Sequence, residues 1–479
     1  MSVLVIDVGT SSVRVAVVEG ARIVAERRVA ALPDTPAPGL VEFDAAVMAT
    51  TALDLSRAML AEHGPVTSVG IANQRASTIV WDRATGAPVA PGLGWQDLRT
   101  IGDCLVLGAE GLRLAPNQSA TKLTALLAAH DPDRARDLCF GTVDSWIAWT
   151  LTGGEAHITD ATNAGLTGLL TADGRAWDTD VLDRLGIPAA MLPTIVDSTG
   201  DLAIATALDG APMIRGMAGD QQASLLGLGC VAPGPAKITF GTGGMLDTVV
   251  GPDRPAFTSR GPAGTFPIIS SRRDGELLWG VEAIMLSAGT NVEWLRDDLG
   301  LIDDAAQSHE IASSCATTDG VVYVPALLGL GTPHWDYGAR GTLLGVTRGT
   351  GRAEIVRAVL EGVAHRGVDL IEAAIADTGA TIESVRIDGG MSANPTFVQA
   401  LADAAQRPVE VSPVTEATAL GAALLAGLAD GTFSSWSDIA DVWEPARVVE
   451  PGTPLDRAQW ARAVERAREW YPELSGLDF

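Results

Sequence analysis

The stretch VLVIDVGTSSVRVAV, residues 3–17, decides how the rest of the chain is read. Two β-branched, apolar runs flank Asp7-Val8-Gly9-Thr10-Ser11-Ser12, so two strands are expected to meet at a tight bend. The bend joins a glycine, which lets backbone or ligand come close, to hydroxyls and to one carboxylate, Asp7. Residues 236–250, AKITFGTGGMLDTVV, repeat the plan: a strand-like run, then Gly241-Thr242-Gly243-Gly244, then another apolar run. The chain is expected to build one device twice.

A bend of this composition exposes backbone N–H groups and hydroxyls that can hold phosphate oxygens. Met singly, it is more often an ordinary hairpin. Its recurrence in both halves favours two turns gripping a phosphate chain from opposite sides of a cleft. Asp7 is then placed to hold a hydrated Mg²⁺, which takes one or two carboxylates plus phosphate oxygens. Arg14, on the far side of the first bend, adds positive charge.

The chain has 479 residues, enough for two or three domains with full cores. With 47% hydrophobic and 19% charged residues it reads as globular, and its 53 glycines promise many tight turns. The net charge of −26 argues against nucleic-acid or anionic-membrane partners, which need basic patches. Cys104, Cys139, Cys230 and Cys315 stand far apart, so neither a disulfide frame nor a zinc site is expected and a reducing cytoplasm fits. The first residues enter a strand with no basic-then-apolar leader, and no run is long enough to span a bilayer. The six histidines show no metal-ligand spacing.

Strands are expected at 3–6, 13–18, 21–30, 66–72 and 80–83, with a helix over 43–63. Strands with intervening helices make an α/β domain. The Pro/Gly break at 231–235 sets a boundary, giving domains 1–232 and 233–479. The second half is expected to hold long helices over 282–299 and 354–378, a strand at 384–388 and a helix after Asn394. In the tail, 455–470, Trp460, Val464, Ala467 and Trp470 fall on one stripe that packs on the second domain.

Four more segments carry chemistry. In MIRGMAGDQQASLLGLG, residues 213–229, a strand ends and Asp220 opens a helix. Asp220 is either a helix cap or a general base for phosphoryl transfer. In GIANQRASTIVWD (70–82) and PGLGWQDLRT (91–100), Gln74, Arg75, Trp95, Gln96, Asp97 and Arg99 follow strand ends, where α/β folds place ligands. They form either a wall for a small polyhydroxylated molecule or a surface loop with a salt bridge. In IDGGMSANPTF, residues 387–397, the glycine pair serves either packing or a base and ribose lying on the backbone.

Together these segments resemble the FGGY carbohydrate kinases, which have the actin-like, ribonuclease H-like ATPase fold. The resemblance covers almost the whole chain. It runs through DVGTSSVR, NQRAST, WQDLRT, GTVDSWIAWTLTG, ITDATNAGLTG, GDQQASLLG, FGTGG, GTLLGVTRGTGRAEIVRAVLEG, DGGMSANPTF and EATALGAALLAGL. NQR, GTVDSW and GDQQ look most like the glycerol kinase branch. The resemblance implies two actin-like α/β domains with a cleft between them, and ATP-dependent phosphorylation of a primary hydroxyl of a small polyol or sugar. It implies Asp220 as catalytic base, and Asp7 with Asp220 at the metal. Thr10, Ser11, Arg14, Gly241, Thr242 and Gly243 would hold the phosphates. Gly289, Glu293, Gly390 and Asn394 would form the nucleotide side. Gln74, Arg75, Trp95, Asp97, Asn117 and Gln221 would line the acceptor pocket. Family members often self-associate, so a homo-oligomer is a further expectation.

The chain departs from the branch at the acceptor. Ala76 stands where glycerol kinases have Glu, and Asn117 where they have an aromatic residue. Ala125 replaces a usual Trp, and Asp97 looks like the pentulose kinases. A larger, differently polar pocket and an acceptor other than glycerol are therefore expected. A ketopentose kinase is the nearest alternative, although the Met-His-Gly motif of xylulose kinases is missing. An actin-like nucleotide switch without acceptor, and a sugar-sensing regulator derived from a kinase, are alternatives of other classes.

Overall fold

The computed structural model of the protein describes residues 2–414 and 417–477. In the first half, β1 (Ser2–Val8), β2 (Ser12–Glu19) and β3 (Arg22–Ala30) form an antiparallel meander. Helix α1 (Ala45–His63) follows, capped by Asp44, whose carboxylate accepts from the Val47 amide. Next come β4 (Ser68–Asn73), β5 (Thr199–Ile204) and β6 (Met213–Gly219). β4 runs parallel to β1 and β6 parallel to β4, giving the sheet order β5-β6-β4-β1-β2-β3. Val3, Leu4, Val5, Ile6 and Val8 are wholly buried, as expected of a near-continuous apolar strand covered on both faces.

Helix α2 (Asp220–Gly227) leads into the second sheet. Its strands are β7 (Pro235–Phe240), β8 (Gly244–Gly251), β9 (Phe266–Arg273) and β10 (Glu276–Met285), then β11 (Ser384–Asp388), β12 (Val409–Val411) and β13 (Arg447–Val449). The order is β9-β10-β8-β7-β11-β12-β13. β7, β8 and β10 make an antiparallel meander, β11 runs parallel to β7, β12 parallel to β11, and β13 is antiparallel. This repeats the first sheet strand for strand, with β9 added at one edge. The repetition expected from the two bends is a repetition of whole sheets.

Between these strands lie α3 (Thr290–Asp297), α4 (Arg352–Thr378), α5 (Pro395–Ala405) and α6 (Ala417–Ala429), and α7 (Arg457–Ala467) follows the last of them. Val359, Val363, Leu370 and Ile371 of α4 and Phe397 and Leu401 of α5 cover the second sheet. The first sheet is covered on one face by α1, through Met48, Ala52 and Met59. Its other face is covered by α6, which belongs to the second half of the chain. Ala419, Ala422, Leu424 and Leu425 share a core with Val3, Val5, Ala72 and Ala218. Glycine makes that seat: a Cβ on Gly70 would come within 2.7 Å of the Ala422 carbonyl oxygen, and one on Gly421 would collide with that of Ala223. Glu416, at the head of EATALGAALLAGL, lies outside the described residues.

Two expectations are corrected. Residues 282–299 are not one helix: β10 ends at Met285 and α3 begins at Thr290. Val281, Ala283 and Met285 alternate with Glu282 and Ile284, a period of two, and pairing with β8 wins over the helical period. At the tail, Trp460, Val464 and Ala467 pack against Val324, Ala326 and Leu330 of the second half, but Trp470 lies beyond the helix and is 66% exposed.

Candidate active site

The parallel strands β1, β4 and β6 are in register, with Asp7 beside Ala72 and Ala72 beside Ala218. The chain therefore delivers Asp7, Gln74-Arg75 and Asp220 from three neighbouring carboxyl ends, the crevice where open α/β sheets bind ligands. The first bend is closed by the Gly9 amide donating to the Ser12 carbonyl at 3.0 Å. Thr10 and Ser11 sit at its tip, and the buried Arg14 reaches Asp7 at 3.6 Å. Asp220 is not a helix cap: Gly219 is, and the Asp220 carboxylate accepts from the Gln221 amide at 2.8 Å.

The expected acceptor wall leans on the first bend. Trp95 Nε1 donates to Thr10 Oγ1 at 3.0 Å, while Ser77 Oγ accepts from the Trp95 amide and reaches Gln74 Oε1 at 3.2 Å. Arg75 lies 3.2 Å from Asp220 and 2.6 Å from Glu282 on β10. Its third neighbour is Gln222 Oε1, at 3.4 Å. Asp97 is different. It is wholly buried and accepts from the Val41 amide, the Arg99 amide and the Arg99 guanidinium, at 2.7 to 3.0 Å. Its oxygens pin the loop to the segment before α1. Asn117 is exposed ahead of the helix Ser119–His130. Ala76 is buried, in a left-handed conformation with φ +59°.

The second bend, Gly241–Gly243, is held by residues 288–290. The Thr242 carbonyl accepts from the Ala288 amide and the Gly241 carbonyl from the Gly289 amide, both at 2.8 Å. A Cβ on Gly289 would sit 2.6 Å from the Gly241 oxygen, so only glycine fits. Glu293 lies exposed on α3. Gly389, at φ +86°, lies against the Phe240 carbonyl, whereas Gly390 faces open space. Asn394 caps α5 by accepting from the Phe397 amide and donates to Ser308 at 2.8 Å.

Charge is concentrated where the halves meet. Burial pushes the Asp7 carboxyl up to about 6, with Arg14 opposing and Asp220 adding to the rise. Burial also raises Asp220, against the pull of Arg75 and Lys237. Glu282 is lifted to about 7 by burial, with Arg75 opposing. Lys237 and Asp247, both fully buried, pair at 2.7 Å.

Sequence comparison fits this geometry. The amino-terminal domain of the FGGY family of carbohydrate kinases matches residues 2–227, and its carboxy-terminal domain matches residues 236–429. The chain belongs to the FGGY family of carbohydrate kinases.

This FGGY kinase is 43% identical over 460 residues to a glycerol kinase of Aromatoleum aromaticum, covering 91% of this chain and 92% of the relative. It is 40% identical over 497 residues to a glycerol kinase of Rhodospirillum centenum, covering 98% and 99%. Among solved structures it is similar to Plasmodium falciparum glycerol kinase with ADP, at a TM-score of 0.91 and 27% identity over 97% of this chain and 98% of that one. A xylulose kinase from Brucella ovis, at 24% identity over the full length of both chains, shares the fold with a TM-score of 0.88. The chain is thus an ATP-dependent carbohydrate or polyol kinase of the glycerol kinase-like kind, with a two-domain actin-like fold.

Sequence reasoning missed Glu282, Lys237, Asp247 and Gln222 in this FGGY kinase. Glu282 was hidden by the helix reading of its segment. Lys237 and Asp247 carried a usable signal, since each is a lone charge inside an apolar strand beside the second bend, where it must find a partner.

Proposed function

We propose that this kinase moves the γ-phosphoryl group of ATP to a primary hydroxyl of a small polyol of the glycerol class, with Asp220 as general base. The observation that carries the proposal is the position of Asp220. Its carboxylate stands at the end of β6, 3.2 Å from Arg75 and close enough to Asp7 for each to feel the other's charge. A hydroxyl held there by Arg75 and Gln221 would give its proton to Asp220 as its oxygen attacks the phosphorus in line. Trp95, Gln74 and Asn117 complete the acceptor side. Thr10, Ser11 and Arg14 from one half, and Gly241, Thr242 and Gly243 from the other, hold the phosphates between them. Gly289, Glu293, Gly390 and Asn394 form the nucleotide side. Closure of the domains, 1–232 on 233–479, would exclude water.

Among the described residues no three metal-ligating side chains converge. Mg²⁺ needs fewer, and the pair Asp7 and Asp220, both raised by burial, suits it. When bound, the ion neutralises charge on the phosphate oxygens. Asp97, the residue that pointed to ketopentoses, is bonded to the Val41 amide and to Arg99 and stays on the acceptor side of the proposal. A cytoplasmic location and self-association belong to the same reading. The former draws on four free cysteines, three of them buried.

The test is a coupled ADP-release assay with Mg-ATP and glycerol, tetritols, pentitols and ketopentoses. Acceptor-dependent release with a short polyol is expected. ADP release that no polyol or sugar stimulates would overturn the proposal in favour of a nucleotide switch.

A further inference from the structure

Lys237 stands in β7, ahead of the Gly241–Gly243 bend, and is fully buried. Its ammonium lies 2.7 Å from Asp247 on β8 and donates to Gln221 Oε1 at 2.6 Å. Gln221 belongs to α2, the helix that Asp220 opens. The bond therefore ties the strand of the second bend to the helix of the base.

An ammonium has three donors and no acceptor. Gln221 must turn its carbonyl oxygen to Lys237, so its NH₂ group points away. Among the described residues no protein group accepts from that NH₂. An amide flip would set donor against donor beside a buried charge and lose a charge-assisted bond. The two neighbours then offer opposite polarity. Ionised Asp220 only accepts, and the outward end of Gln221 only donates.

We propose that Lys237 is a positioning residue that fixes Gln221 as a hydrogen-bond donor to the acceptor substrate. The substrate atom meeting Gln221 must then offer a lone pair, as a hydroxyl or carbonyl oxygen does, while the hydroxyl beside Asp220 gives up its proton. The inference rests on the proposed function, since it requires an acceptor in this pocket.

Wild-type enzyme is assayed first with Mg-ATP and the polyol panel, and silence there is a failure of the functional reading. With an active wild type, the variants are K237M/D247M, Q221L and the triple variant. Removing Lys237 and Asp247 together leaves no unmatched buried charge. K237M/D247M is expected to raise the acceptor KM roughly tenfold, about the worth of one hydrogen bond, with the ATP KM unchanged and kcat little altered. Q221L should do the same, and the triple variant should be no worse than Q221L, because Lys237 acts through that amide. A wild-type acceptor KM in K237M/D247M, or effects that multiply in the triple variant, would overturn the inference. If K237M/D247M does not fold, Q221E decides: it keeps an oxygen for Lys237 and loses the donor. A raised acceptor KM supports the inference and an unchanged one overturns it.

Discussion

Arg75 Nη2 lies 2.6 Å from Glu282 Oε2, and the two residues come from different halves of the chain. Arg75 is also 3.2 Å from Asp220, so one guanidinium serves two carboxylates. Both of Asp220's contacts, with Arg75 and with the Gln221 amide, fall on Oδ1. Glu282→Gln retains an acceptor but removes the charge, and Arg75 is then drawn more fully onto Asp220. The acceptor KM should rise several-fold with the ATP KM unaffected, and stability should fall by about 1–3 kcal/mol. Steady-state kinetics and thermal melts check both.

Asp220→Asn keeps the shape of the site and removes the proposed base. Turnover should fall by roughly a hundredfold to ten-thousandfold, the range for a lost general base. Nucleotide binding, followed by fluorescence titration with ADP, should persist. Normal turnover in this variant would sink the base assignment.

Gly289→Ala tests the second bend. The added methyl would press on the Gly241 carbonyl, which is backbone and cannot swing aside. The ATP KM should rise and stability should fall by about 1–3 kcal/mol through overpacking. An unchanged ATP KM would separate this contact from nucleotide binding.

Asp97→Asn separates loop pinning from ligand contact. One carboxylate accepts from two amides and a guanidinium in a fully buried site, so the loss should be about 2 kcal/mol or more. The acceptor KM should move by the same factor for every polyol and sugar in the panel. A change confined to ketopentoses would make Asp97 a direct contact of that acceptor.

Asp144 supplies a pH signature away from the site. Burial, with Asp160 nearby, lifts its carboxyl from 3.8 to about 7. A raised pKa means the folded state holds the proton through that window, so its contribution is full below about pH 4 and is lost as pH rises towards 7. Asp144→Asn cannot titrate. The stability of the variant relative to wild type should therefore climb between pH 4 and 7 and level off above it, by at most about 1.4 kcal/mol per pH unit. Denaturant melts across that range measure it, and a flat difference would refute the assignment.

Much of the fold and the site is legible in the amino-acid sequence itself. The bends at residues 7–12 and 240–244 can be read because glycine and hydroxyls between β-branched runs leave few alternatives to a hairpin. Asp220 can be read at a strand-to-helix junction. The segment at 282–299 cannot, because Val281, Ala283 and Met285 satisfy a strand period while the residues after them satisfy a helical one. Only pairing with β8 decides between the two. Asp97 is legible only in part, for a different reason. A carboxylate beside Trp and Arg looks like a sugar contact, and only the count of its hydrogen bonds reveals a loop brace. Glu282 reaches Arg75 across more than two hundred residues, a distance no local pattern spans.

The seat of α6 on the first sheet bears on how the chain matures on the ribosome. β1, β4 and β6 are complete once residue 219 has emerged, yet one of their faces waits for Ala419, Ala422 and Leu425. Until then the nascent first half carries an unfilled apolar slot shaped by Gly70 and Gly216. Its core closes only when residue 429 is out, so the two halves mature together late in translation. A chain released early would expose that slot to aggregation or to chaperones.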